Sequence, residues 1–177
     1  MMKITESDKI IGLKVIDLEI FIDQRGEFIE TFNQKKYTFY DDNNKLIVFL
    51  EDDISISKYS VIRGLHGDDN TWKLVQCLSG EIYINIVDYR PQSATYLKSE
   101  SFILKDFERK QLLIPAGCLN GTQCLTAMSI FSYKQSNYYD TTVGQKTVRW
   151  DDPKLNLYWP IQNPILSYRD ANAIILK

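Results

Sequence analysis

The chain has 177 residues and a mass of 20.6 kDa, with a formal net charge of −2. A composition 44% hydrophobic and 25% charged excludes a disordered chain, and the length fits a single domain spanning 1–177. The near-neutral charge removes the electrostatic case for nucleic acid, and three cysteines (Cys77, Cys118 and Cys124) argue against a disulfide scaffold and for a reducing cytoplasm.

In chain order, the first ten residues, MMKITESDKI, are polar and carry no apolar leader-like run. No later apolar run approaches the ~20 residues that cross a bilayer, so no membrane association is expected. Residues 14–21 are expected to form a strand, Asp23-Gln24-Arg25-Gly26 a turn, and 27–32 the returning strand. One short helix is expected at 34–40 and an alternating strand at 47–57. Residues 73–78 and 81–88, separated by Ser79-Gly80, are expected to pair as a hairpin. Further strands are expected at 96–104, 111–114, 122–126 and 128–135. Many short strands and no sustained 3.6-residue period predict an all-β sandwich or barrel with a few short helices.

Two segments stand out chemically. Val61-Ile62-Arg63-Gly64-Leu65-His66-Gly67 holds the chain's sole histidine between two glycines. On these residues alone it fits a core histidine beside a surface arginine as well as a site. Ile114-Pro115-Ala116-Gly117-Cys118-Leu119-Asn120 contains a Pro-x-Gly turn after a strand, which by itself is structural. With one imidazole per chain, a His-rich metal site and a histidine–histidine proton relay are both excluded, so no metal ligand set is expected.

These segments resemble the two motifs of the cupins, which are jelly-roll β-barrels. The resemblance is closer to the deoxythymidine-diphosphate-4-keto-6-deoxyglucose 3,5-epimerases. Arg25-Gly26-Glu27-Phe28-Ile29-Glu30 resembles their Arg-Gly-x-Phe-x-Glu, and Arg63-Gly64-Leu65-His66 their Arg-Gly-Leu-His. Lys73-Leu74-Val75, Tyr133-Lys134, Tyr138-Tyr139, Arg149-Trp150-Asp151-Asp152-Pro153 and Leu166-Ser167-Tyr168-Arg169-Asp170 follow in the family's order.

The resemblance implies a cupin-type jelly roll and a cofactor-independent epimerase acting through an enolate. It makes His66 the base, Asp170 the carboxylate that orients it, Tyr133 the acid on the opposite face and Lys73 the charge at the ketone oxygen. It makes Arg25 and Arg63 binders of the diphosphate and sugar, and places Phe28 and Glu30 near the nucleotide base. It also implies a homodimer that shares N-terminal strands. Taken singly, Asp170 would be a helix cap or a solvated aspartate. Tyr133 is one of eleven tyrosines, and Lys73 would be a strand-end lysine.

The chain departs from the family at three places. Asn120 stands where the pattern Pro-x-Gly-x-x-His has histidine, which implies a changed sugar contact. Glu51-Asp52-Asp53 stands where Gln-x-Asn is common, and Glu51 could accept from the donor edge of guanine. His66 is followed by Gly67-Asp68, and Thr71-Trp72-Lys73-Leu74 comes soon after, wording that resembles a branch acting on guanosine-diphosphate-linked 4-keto heptoses of bacterial capsules. The expected reaction is therefore epimerisation of a GDP-linked 4-keto heptose at C3, with C5 a second candidate centre. The alternative substrate is a dTDP-linked 4-keto-6-deoxyhexose. The rival readings are a catalytically silent sugar-nucleotide-binding cupin and a ketoisomerase.

Overall fold

The computed structural model describes residues 2–140 and 144–176. Its regular secondary structure is almost entirely antiparallel β-strand. The strands are β1 (Lys3–Glu6), β2 (Lys14–Asp17), β3 (Ile20–Asp23), β4 (Gly26–Ile29), β5 (Glu51–Lys58), β6 (Ile62–Gly67) and β7 (Lys73–Ser79). They continue with β8 (Glu81–Asp88), β9 (Ser99–Lys105), β10 (Lys110–Ile114), β11 (Cys118–Cys124), β12 (Met128–Gln135) and β13 (Lys146–Thr147). A single turn of helix, α1 (Tyr168–Ala171), lies near the C-terminus.

A six-stranded sheet in the order β1-β2-β10-β7-β12-β5 faces a five-stranded sheet in the order β13-β6-β11-β8-β9. Because side chains alternate along a strand, each sheet sends every second residue inward. Val75, Cys77, Leu112, Ile114 and Phe131 from one sheet meet Ile82, Ile84, Ile86, Leu104 and Cys118 from the other. Both sheets are also covered on their outer faces. Segment 148–166 packs Val148, Leu155 and Trp159 onto Ile62, Leu65, Val87 and Leu119. On the far side, Tyr37, Phe39 and Ile47 cover Ile16, Leu74 and Leu113. A strand covered on both faces loses its alternation of buried and exposed positions, which is why β7, β8 and β11 are buried along most of their length.

Three expectations change. The helix expected at 34–40 is a turn leading into an extended strap. Tyr37 and Phe39 are buried and Thr38 is exposed, a period of two, and Ile47 N–H donates to the Phe39 carbonyl at 2.8 Å. The strand expected at 14–21 is broken, with β2 in the large sheet and β3 pairing only with β4. The hairpin expected at 73–88 is a corner: β7 pairs with β10 and β12, while β8 pairs with β11 and β9. Gly80, at φ +76°, passes the chain from one sheet to the other, and a Cβ there would stand 2.4 Å from the Met128 carbonyl oxygen.

Strand β5 inverts the usual pattern. Glu51, Asp53, Ser55 and Ser57 face inward, while Ile54 and Ile56 are 60% and 55% exposed at the edge of the large sheet.

Candidate active site

One end of the sandwich stays open between the sheets and forms a cavity of about 620 Å³. Its position follows from strand phase. Val75, Phe131 and Cys118 face the core, so Lys73, Tyr133 and Asn120, each two residues away on β7, β12 and β11, face the same interior beyond the apolar layer. Leu65 packs on the outer side of β6, so His66 turns inward.

His66 Nε2 lies 2.5 Å from Asp170 Oδ1. Asp170 is 2% exposed and reaches His66 from α1, where Ser167 caps the turn by accepting the Asp170 N–H at 3.1 Å. Burial acts to raise the Asp170 pKa. The hydrogen bond and charge of His66, the Ser167 hydroxyl and the Gly64 N–H together hold it below the ordinary aspartate value. An ionised Asp170 accepts the Nε2 proton, which leaves Nδ1 as the basic nitrogen of the ring.

Gly64 lets the β6 backbone approach its neighbour. At φ +122° it occupies a region that disfavours other residues, and a Cβ would stand 2.6 Å from both the Asn120 carbonyl oxygen and the Gly121 Cα.

Lys73 is only 8% exposed, and its Nζ donates to Asn120 Oδ1 at 3.2 Å. Burial lowers its pKa; Asp68 opposes that and Arg169 adds to it. Tyr133 has its pKa raised by burial and by Asp53, Glu51 and Tyr139, with Arg63 opposing, so its phenol stays protonated at neutral pH. Arg63 lines the cavity and is tied to β5, with Nε donating to the Ser57 hydroxyl at 3.0 Å and Nη2 to the Ile56 carbonyl at 3.2 Å.

The cavity thus gathers His66, Asp170, Lys73, Tyr133, Arg63, Asn120 and Glu51. It does not contain Arg25, Phe28 or Glu30 of the same chain. Arg25 sits on the β3–β4 turn, 85% exposed and paired with Asp23 at 2.6 Å. Phe28 is 69% exposed, and Glu30 pairs with Lys36 at 2.6 Å. The two-stranded β3–β4 sheet joins neither large sheet, so these side chains are carried away from the cavity by their own hairpin.

Asp53, Tyr139 and Arg169, which the sequence motifs include without a role, and Gln135, which they omit, also line the cavity. Asp53 and Gln135 stand two residues from Glu51 and Tyr133, so the strand period alone could have found them. Arg169 adjoins Asp170 and is held by the Thr147 hydroxyl, with Nη2 donating at 2.6 Å. Among the described residues, no group of three or more His, Cys, Asp or Glu side chains is placed to hold a metal ion, and no helix is long and apolar enough to cross a membrane.

A jelly roll of the cupin type whose open end joins a histidine–carboxylate pair to a buried lysine and a protonated tyrosine defines a proton-transfer enzyme. The family model for dTDP-4-dehydrorhamnose 3,5-epimerase matches residues 7–177, and the chain belongs to that family of isomerases. It is 35% identical over 162 residues to a dTDP-4-dehydrorhamnose 3,5-epimerase of Shigella flexneri, covering 90% of this chain and 88% of that one. The Bacillus anthracis dTDP-4-dehydrorhamnose 3,5-epimerase, solved with TDP and PPi bound, superposes with a TM-score of 0.91 at 33% identity, over 99% of this chain and 100% of that one. A dTDP-6-deoxy-D-glucose-3,5-epimerase of Legionella pneumophila, in complex with dTDP-4-keto-L-rhamnose, gives 0.89 at 34%, over 99% and 93%.

The two solved relatives hold thymidine nucleotides, TDP in one and dTDP-4-keto-L-rhamnose in the other. Both Glu51 carboxylate oxygens already have protein donors, Gln135 Nε2 at 3.0 Å and the Tyr139 N–H at 2.8 Å. Asp68 Oδ1 accepts the N–H groups of Asn70 and Thr71, and Asp69 pairs with Lys146. Of the distinctive wording after His66, Lys73 lines the cavity, while Asp68, Thr71 and Trp72 line an adjoining hollow that shares Gln135, Tyr139 and Gln145 with it.

Proposed function

We propose that the chain epimerises a dTDP-linked 4-keto-6-deoxyhexose at C3 and C5 by proton transfer, as a cytoplasmic homodimer. The carrying observation is the convergence of the His66–Asp170 pair, Lys73 and Tyr133 on one cavity.

A proton on the carbon beside a ketone is weakly acidic. His66 Nδ1 removes it, the C–H electron pair passes toward the ketone, and Asp170 stabilises the imidazolium that forms. The developing negative oxygen is met by the Lys73 ammonium, whose charge is little screened because it is buried. Tyr133 then gives its phenolic proton to the carbon from the other face, which inverts the centre. The phenolate takes a proton from water, and the imidazolium gives its proton to the hydroxide left behind, which restores both groups. The same base and acid serve C3 and C5 as the ring presents each.

Arg63 and Arg169 supply the cations for the diphosphate, since a guanidinium fork matches phosphate oxygens. Arg25, Phe28 and Glu30 serve the site of a second copy, reached by the β3–β4 hairpin. Support for this comes from the isolation of that hairpin, the exposure of Phe21 and Phe28 on it, and the outward isoleucines of β5.

The test is incubation with dTDP-4-keto-6-deoxyglucose in deuterated water, followed by NMR. Solvent deuterium at C3 and C5 with inversion is expected. H66N should lower exchange at least ~10²-fold, the low end for a general base. A carbonyl moved to C3 would identify an isomerase, and no exchange at either carbon would overturn the reading. Faster turnover of a GDP-linked 4-keto heptose would overturn the nucleotide assignment.

A further inference from the structure

Asn120 lies on β11 directly opposite His66 on β6, and its side chain faces the cavity. Its amide is oriented by chemistry. The Lys73 ammonium has three donors and no acceptor, so the Asn120 atom 3.2 Å away must be the carbonyl oxygen. The amide cannot be flipped without setting donor against donor. The Nδ2 amino group is therefore turned away from Lys73, and among the described residues it meets no protein acceptor.

We propose that Asn120 Nδ2 is the second hydrogen-bond donor to the C4 ketone oxygen, acting beside the Lys73 ammonium as a two-donor site for the enolate. This rests on the epimerase reading above. Asn120 plays both parts with one planar group, its carbonyl fixing Lys73 and its N–H serving the substrate. A neutral donor suits the position. It stabilises a developing oxyanion without adding a cation to a pocket where Lys73 is already desolvated and His66 becomes charged during turnover. A neutral imidazole offers the same pairing, one ring nitrogen accepting from Lys73 and the other donating. A carboxylate accepts only.

The experiment compares wild type, N120A, N120D and N120H on dTDP-4-keto-6-deoxyglucose, with thermal unfolding as a check on folding. N120A and N120D should each lose roughly 10²–10³-fold in kcat, the range for one oxyanion donor, with KM little changed because the contact strengthens in the transition state. N120H should restore most of the rate. Wild-type kcat in N120A overturns the role, even if N120D is slow, because the loss would then belong to the added charge. A raised KM at constant kcat also overturns it, leaving Asn120 a ground-state contact. N120H as slow as N120A overturns it too. If wild type inverts the sugar and the variants match it, only the role of Asn120 falls. If wild type does not invert it, the epimerase reading falls and this inference with it.

Discussion

Tyr133 and His66 differ in how their proton state is set. Asp170, ionised and buried, dictates which ring nitrogen of His66 is basic. Tyr133 keeps its proton because burial and the Asp53 and Glu51 carboxylates oppose the phenolate. Removing the phenol should therefore separate two steps. Y133F is expected to lose inversion by at least ~10²-fold while retaining deuterium wash-in, because the base still works and the proton can return to the face it left. NMR on the recovered substrate checks this, and equal inversion in both proteins would remove Tyr133 from the acid role. At this scale the sequence was partly legible. Motif order singled out His66, Lys73, Tyr133 and Asp170, residues that no local pattern links. Gln135 was harder, because only the β5–β12 pairing sets it opposite Glu51 at the cavity wall.

Strands were visible where alternation and turns were strong. Residues 81–88 and 128–135 match β8 and β12 at both ends. Pairing was less visible. Nothing local distinguishes a Ser-Gly hairpin turn from the Gly80 corner, since both need a positive φ. The strap at 34–40 was misjudged because Tyr37 and Phe39 gain burial only against a sheet formed by distant strands.

One strand end makes a prediction of its own. At the end of β8 the buried Asp88 carboxylate accepts from Arg90 Nε and Nη2 at 2.8 Å and from the Ser93 and Thr95 hydroxyls at 2.6 Å. Burial pushes its pKa up, but these donors outweigh that and bring it to about 2 from 3.8. The folded value is the lower one, so the stabilisation is full above pH 3.8 and is lost as pH falls toward about 2. It amounts to about 2 kcal/mol. Urea unfolding across that window should show wild type losing more stability than D88N, and parallel curves would remove Asp88 from acid sensitivity.

For the whole molecule, β5 is the telling element. A strand that turns serines and carboxylates inward and isoleucines outward fits a partner on its outer side. The proposed dimer should sediment at twice the chain mass. Sites shared between protomers should also complement: mixing inactive R25A with inactive H66N under subunit exchange should restore activity, because a mixed dimer holds one intact site. No recovery in verified mixed dimers would place Arg25 outside the site.

The His66–Asp170 contact joins residues 104 positions apart, the second of them on the short helix after the last strand. Synthesis therefore delivers the base long before its orienting carboxylate. A nascent chain ending before α1 could hold most of both sheets and still be unable to fix the tautomer of its histidine. Under the proposed mechanism, catalytic competence would arrive late in translation, and activity would report on docking of the final segment, a stage that secondary-structure content alone would miss.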